Sequence, residues 1–130
     1  MVSRARCVLA AAHMCEIANL DRCAAYVAAR AALIAVQRAV ASWPTNLAAR
    51  ARHGAMDTVQ LTAEAVSHDH ATPGRRQCLR EAITSALCVA ATIDIAHAMG
   101  YGGGELLDVQ RVAGRTVALL AMLLHASTTV

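Results

Sequence analysis

Cys23-Ala-Ala-Tyr-Val-Ala-Ala-Arg-Ala-Ala-Leu-Ile-Ala-Val36 and Thr116-Val-Ala-Leu-Leu-Ala-Met-Leu-Leu-His-Ala126 are the stretches that decide the fold. The first holds one charge, Arg30, and the second none unless His125 is protonated. A surface helix of a small monomer shows one apolar stripe and one polar face. These two segments have almost no polar face. Each is expected to have two apolar sides, one for its own bundle and one for something outside it.

The rest of the composition agrees. The chain has 130 residues, enough for one domain, and is 57% hydrophobic but only 2% aromatic, with no Phe. Alanine supplies about a quarter of it. Alanine is the best helix former, and its small side chain lets helices approach closely while contributing little burial each. An all-α fold follows, with a core so thin that burial between subunits is favoured. The net charge is +3 and every basic residue is Arg. That balance permits contact with nucleic acid without requiring it. Arg in place of Lys suits either a GC-rich coding bias or bidentate phosphate binding.

Five cysteines, Cys7, Cys15, Cys23, Cys78 and Cys88, are an odd number with no CxxC spacing. They sit in apolar, helix-like sequence, where a free thiol behaves as a small hydrophobe, and a reducing cytoplasm is the expected compartment. Residues 1–15 faintly resemble a secretory leader, but His13 and Glu16 interrupt it. No charge-free apolar run reaches the length of a membrane span, so no membrane partner is expected.

Three breaks punctuate the chain: Trp43-Pro-Thr-Asn46, His70-Ala-Thr-Pro-Gly74 and Gly100-Tyr-Gly-Gly-Gly104. They leave four helical segments. The first runs from Leu20 to Ser42, with Leu20, Val27, Ile34 and Ala41 at heptad spacing and Leu33, Val36, Val40 and Trp43 on a neighbouring face. Pro44 ends it. The second runs from Leu47 to Ser67 with Asn46 as its cap, on an inner row of Leu47, Ala51, Ala55, Val59, Thr62 and Val66. Gly54 costs this helix roughly 1 kcal/mol relative to Ala. The third starts with Thr72 as cap and Pro73 in the first turn, carries Leu79, Ile83, Leu87, Ala90 and Ile93 as its stripe, and ends at Gly100. The fourth runs from Glu105 to Ala126, with Leu106, Val109, Ala113, Leu120 and Leu124 on one side and Leu107, Val112, Leu119 and Leu123 on a second. Short connections make this an antiparallel up-down-up-down four-helix bundle over residues 1–130, with residues 1–18 as a flexible or helical extension.

Several residues could carry chemistry. Arg75 and Arg76 fall in the first turn of the third helix, where the helix dipole disfavours positive charge, and Arg80 follows one turn on. Guanidinium groups and free backbone N–H groups at one helix start together make an anion site; alternatively, Glu81 and solvent neutralise the cluster. Arg111 and Arg115 lie one turn apart on the fourth helix, with Asp108 placed to pair with Arg111, and Arg50 and Arg52 add charge on the second. His68 and His70 flank Asp69 at the end of the second helix. Such a run could join a metal site, or its imidazoles could simply suit the negative end of the helix dipole. No Cys or acidic ligand stands at a standard spacing. Asp94 and His97 can pair but lack a nucleophile, and His125 reads as a packed or interface histidine. The Gly102–Gly104 run precedes a helix but lacks the Lys and preceding strand of a phosphate loop, so it reads as a turn.

From Trp43 onward a family resemblance emerges. Ala82-Ile-Thr-Ser-Ala86, followed by Ile93, Ala96 and Met99-Gly-Tyr101, is similar to the third helix of the four-helix-bundle 23S rRNA intervening-sequence proteins. That superfamily also holds the accessory variability proteins of diversity-generating retroelements. Trp43-Pro44 falls where the family has an aromatic–Pro break, and the likeness covers Leu20 to Ala126. The family's Asn-Ile-Ala-Glu-Gly signature is replaced by Ala65-Val-Ser-His-Asp-His70, and its helix-three Glu pair by Cys88 and Ala90. The resemblance implies a homopentameric ring of bundles, basic surfaces for nucleic acid in the retroelement branch, and no catalytic residues.

The expected function is therefore that of a non-enzymatic, homo-oligomeric scaffold or accessory protein without a cofactor. RNA or DNA is the expected partner, through Arg75, Arg76, Arg80, Arg111 and Arg115. The alternative is a small metal-binding or catalytic bundle built on His68 and His70.

Overall fold

A computed structural model describes residues 20–128 of the chain. The expectations for residues 1–18, and for Cys7 and Cys15, lie outside the described residues. Four α-helices follow one another: α1 (Ala24–Ala39), α2 (Thr45–Ser67), α3 (Pro73–Ala98) and α4 (Glu105–Thr128). Short 3-10 turns, Leu20–Arg22 and Val40–Ser42, flank α1. No strand forms among the described residues. Each helix packs on its neighbours in sequence, and α4 closes the bundle on α1.

Two core clusters show the antiparallel order. One gathers the end of α1 and the turn after it (Val36, Val40, Trp43), the start of α2 (Ala48, Ala51, Ala55), the end of α3 (Val89, Ile93, Ala96) and the start of α4 (Leu106, Val109). The other gathers Ala25 from the start of α1, Ala65 from the end of α2, Cys78, Leu79 and Ala82 from the start of α3, and Leu120 near the end of α4. Only an up-down-up-down path brings those ends together. Between them lies a waist of Ala29, Ala32, Ala55, Thr58, Ala86, Val89, Ala113 and Thr116, enclosing a void of only about 10 Å³. The threonine hydroxyls donate to the carbonyls one turn back, Thr58 to Gly54 and Thr116 to Val112, at 2.8 Å. They therefore enter the core with their polarity satisfied.

The helix ends follow local chemistry. The Thr72 hydroxyl accepts from the Arg75 N–H at 3.3 Å, with Pro73 in the first helical position. At the other end of α3, Gly100 takes φ +85°, its N–H donates to His97 O and Tyr101 N–H donates to Ala96 O. This pair of bonds is the Schellman arrangement, which needs a left-handed residue where glycine stands. Two boundaries differ from the sequence expectation. The first helix is not continuous from Leu20: Cys23 turns extended at φ −89°, ψ 109° and separates a 3-10 turn from α1. The second begins at Thr45, with Pro44 in the cap position, so Asn46 is not its cap and instead accepts the adjacent Leu47 N–H at 2.9 Å.

The larger difference concerns which side chains face in. Leu33, Val36, Val40 and Trp43 pack as expected, but the heptad row through Leu20, Val27, Ile34 and Ala41 does not. Leu20 is buried, while Val27 is 39% and Ile34 48% exposed. α1 turns Ala25, Ala28, Ala29, Ala32, Val36 and Ala39 inward instead. The reason is spacing: helices meeting through alanine lie too close to accept two branched side chains between them. Leu87 of α3, expected inside, is 53% exposed for the same reason, and Ala82 and Ala86 take its place. On α4 the expected inner residues Leu106, Val109, Ala113 and Leu120 are buried. Most of its second row is absorbed within the same bundle. Val112, Leu119 and Leu123 are half-buried, and only Leu107 of that row stands out, joined by Met122.

The stretch Ala24–Ser42 is 19 residues long and, by length and composition, apolar enough to cross a membrane despite Arg30 and Arg38. In the bundle it packs on α2 and α4.

Candidate functional site

An antiparallel bundle places the start of one helix beside the ends of its neighbours. At one end of this molecule the N-terminus of α3 meets the C-termini of α2 and α4, and Arg75 and Arg76 occupy that junction. Arg75 Nε donates to Ser127 Oγ at 3.3 Å and its Nη1 to the His68 carbonyl at 3.4 Å. Arg76 Nη1 donates to the Ala71 carbonyl at 2.6 Å and to the Ser127 carbonyl at 3.5 Å. The charge that is unfavourable at the start of α3 therefore lies against the negative ends of α2 and α4, whose last carbonyls lack partners of their own. Glu81, the residue expected to neutralise this cluster, instead accepts from Gln77 at 3.0 Å.

The remaining arginines are spread over the surface. Arg80 is exposed on α3 with no carboxylate at ion-pair distance among the described residues. Arg111 pairs with Asp108 at 3.7 Å, as the spacing predicted. Arg115 and Arg22 rim a shallow groove of about 430 Å³ between α1 and α4, floored by Ala24, Val27, Ala28, Ala31 and Val112. Arg52 donates to Gln37 at 2.6 Å and lines a second groove, about 440 Å³, with Ile34 and Met56. Arg50 borders a third, with Ile95 and Met99. The five arginines singled out in the sequence thus do not form one cluster. Arg75 and Arg76 are partly buried at the bundle end, and Arg111 and Arg115 lie along α4.

The histidines separate too. His70 stands exposed in the α2–α3 connection. The His68 ring lies across Gly74, so close that a Cβ there would meet its Cε1 at 3.0 Å and Nδ1 at 3.1 Å. Glu64, one turn before His68 on α2, and Cys78 of α3 complete the group: the donor atoms of all three lie within 4.8 Å of one another. Cys78 is buried at 8% exposure, while Glu64 and His68 open to solvent. Burial, reinforced by the charges of Glu64 and Glu81 and a hydrogen bond to Glu64, pushes the Cys78 thiol above its ordinary value of 9.0. The metal site expected from the sequence joins His68 to His70, with no acidic or thiol ligand at a standard spacing. The fold instead supplies Glu64 four residues back and Cys78 across the turn. The Glu64–His68 spacing was a signal in the sequence, but the thiol becomes its neighbour only when α3 folds back.

Asp94 and His97 are both exposed and form no ion pair. His125 lies on the exposed side of α4. Of the described cysteines, Cys78 is buried and Cys23 half-buried, but Cys88 is exposed and is no core residue. In the glycine run, Gly102 takes φ +79° with Leu106 folded back over it, which fits a turn. Comparison with models of known protein families and with curated proteins finds no match for this chain.

Proposed function

We propose that this protein is a non-enzymatic scaffold that works as a homo-oligomer, with the outer face of α1 seated on a second copy. The observation that carries the reading is the inversion of side-chain size on that helix. Alanines line the inside, while Val27 and Ile34 are turned out beside exposed Met56. Grooves of about 430 and 440 Å³ flank this face on either side. Val27, Ile34 and Met56, exposed together on the α1 side, suit burial between subunits better than exposure to water. The resemblance to the intervening-sequence proteins favours five copies in a ring and a cytoplasmic location. Light scattering at micromolar concentration tests the assembly: a mass several times the monomer's supports it, and a monomer mass ends it.

A second reading, contact with RNA or DNA, is favoured by Arg80 and Arg115, whose guanidinium groups have no acidic partner among the described residues. Arg111 adds charge beside Arg115, and in a ring these positions would repeat and multiply attraction to phosphate. Arg75 and Arg76 contribute less, because their donors already serve helix ends. Arg80→Glu combined with Arg115→Glu should weaken binding to every sequence alike and flatten its salt dependence; unchanged binding would remove this reading.

A further inference from the structure

We infer that Glu64, His68 and Cys78 form a binding site for a single Zn²⁺ ion that clasps the end of α2 to the start of α3. The inference is independent of the scaffold reading and rests on the geometry of this corner alone.

The three donors are of the kinds zinc takes together: a carboxylate oxygen, an imidazole nitrogen and a thiolate sulfur. Zinc bonds of about 2.0–2.3 Å hold tetrahedral ligands roughly 3.4–3.8 Å apart. The donor atoms here lie within 4.8 Å of one another. Closing the difference takes about 1 Å, and Glu64 and His68, both at the surface, have the freedom to supply it. Three protein ligands leave the fourth position to water.

The surroundings are arranged for this purpose in three respects. First, Glu64 and His68 are one turn apart and so share a face at the end of α2. A cation there meets the negative end of the helix dipole. Second, the His68 backbone is fixed, since it caps α2 by donating its N–H to Ala65 O and its carbonyl accepts from Arg75. Third, position 74 is glycine in the first turn of α3, where any side chain would press on the His68 ring at 3.0–3.4 Å. That glycine is unfavourable for the helix and makes room for the imidazole beside Cys78. Charge balances as well. Zinc with one carboxylate and one thiolate is neutral, with Glu81 and the Arg75 guanidinium as opposing outer charges. On binding, the Zn–S bond forms as the S–H bond breaks, and the proton leaves to solvent.

The test uses the full-length chain, reduced and stripped of metal, titrated with Co²⁺ and then Zn²⁺. One equivalent of Co²⁺ should give thiolate-to-cobalt charge-transfer absorption, which Zn²⁺ then removes, and Zn²⁺ should raise the thermal midpoint. His68→Ala and Cys78→Ser should each weaken binding about a hundredfold or more, and Glu64→Gln about tenfold. His70→Ala and Cys88→Ser should leave it unchanged. Because Cys78→Ser disturbs a buried position, His68→Ala at an exposed position is the decisive companion. It should leave the metal-free fold intact, as helical CD and thermal melting will show, yet reduce affinity by removing the imidazole. Absorption persisting in Cys78→Ser, affinity unaffected by His68→Ala, or no saturable binding would each overturn the site.

Discussion

Gly54 and Gly114 both interrupt helices, and by propensity alone each should gain about 1 kcal/mol on replacement by alanine. Their surroundings separate them. A Cβ at Gly54 would sit 2.8 Å from Val89 Cγ2, at the close contact between α2 and α3. Val89 is buried and β-branched, so it has no easy rotamer to retreat to. Gly54→Ala should therefore destabilise by about 1–2 kcal/mol, because overpacking outweighs propensity. A Cβ at Gly114 meets nothing within 4 Å, and Gly114→Ala should stabilise by about 0.5–1 kcal/mol. Urea titration of the two variants checks opposite signs for the same substitution. The glycine was legible in the sequence as a helix weakness; its neighbour, thirty-five positions on, was not.

Cys78 gives a pH dependence at the same scale. Its thiol is held above 9.0 by burial first and by Glu64 and Glu81 second. A raised folded-state value means that the fold prefers the protonated thiol. This contribution is full below 9.0 and is lost as pH rises from there through the higher folded value. Without added metal, stability should fall more steeply between neutral pH and pH above 9 for the parent than for Cys78→Ala. Denaturant midpoints of the two proteins across that range check it, and parallel profiles would contradict the cause assigned here.

At the scale of elements, the junction of α2, α3 and α4 depends on arginine. Ala71 sits at φ 63°, a left-handed conformation that costs a residue with a Cβ about 1 kcal/mol. Its carbonyl is held at 2.6 Å by Arg76, which also reaches the Ser127 carbonyl in the last turn of α4. Arg76→Ala should cost about 1–2 kcal/mol through lost charge-assisted bonds. Ala71→Gly in the same chain should recover part of that by removing the strain, as thermal denaturation of single and double variants will show. Arg75 and Arg76 read in the sequence as misplaced charges in a helix's first turn, and an anion was one way to account for them. The fold gives another, since neighbouring helix ends supply the negative partner. Sequence periodicity identifies a helix and its terminators; it cannot say which other terminus will lie alongside.

For the whole molecule, the consequence of an alanine core is that bulky apolar side chains are displaced outward. Val27, Ile34 and Met56 line the α1 side of the bundle, with Leu87, Ile95, Met99, Leu107 and Met122 elsewhere on the surface. If α1 is the assembly face, Val27→Glu with Ile34→Glu should lower the native mass toward that of one chain without loss of helical signal. The same double substitution on a monomer would leave mass unchanged and lower stability only modestly, because both side chains lie outside the core and are about half covered in their own bundle. Sedimentation at several concentrations checks this.

The sequence by itself determined that the protein is a four-helix bundle and about where its helices are broken. Those properties depend on local capping, proline and glycine breaks, and total composition. Tertiary structure decided which apolar row faces in, because the distance between helices, set by alanine against alanine and by Gly54 against Val89, selects side chains by size and not by hydrophobicity alone. It also decided that Glu64, His68 and Cys78 meet while His70 does not. Proximity across a turn is fixed by how α3 folds back on α2, and no spacing along a single helix encodes it.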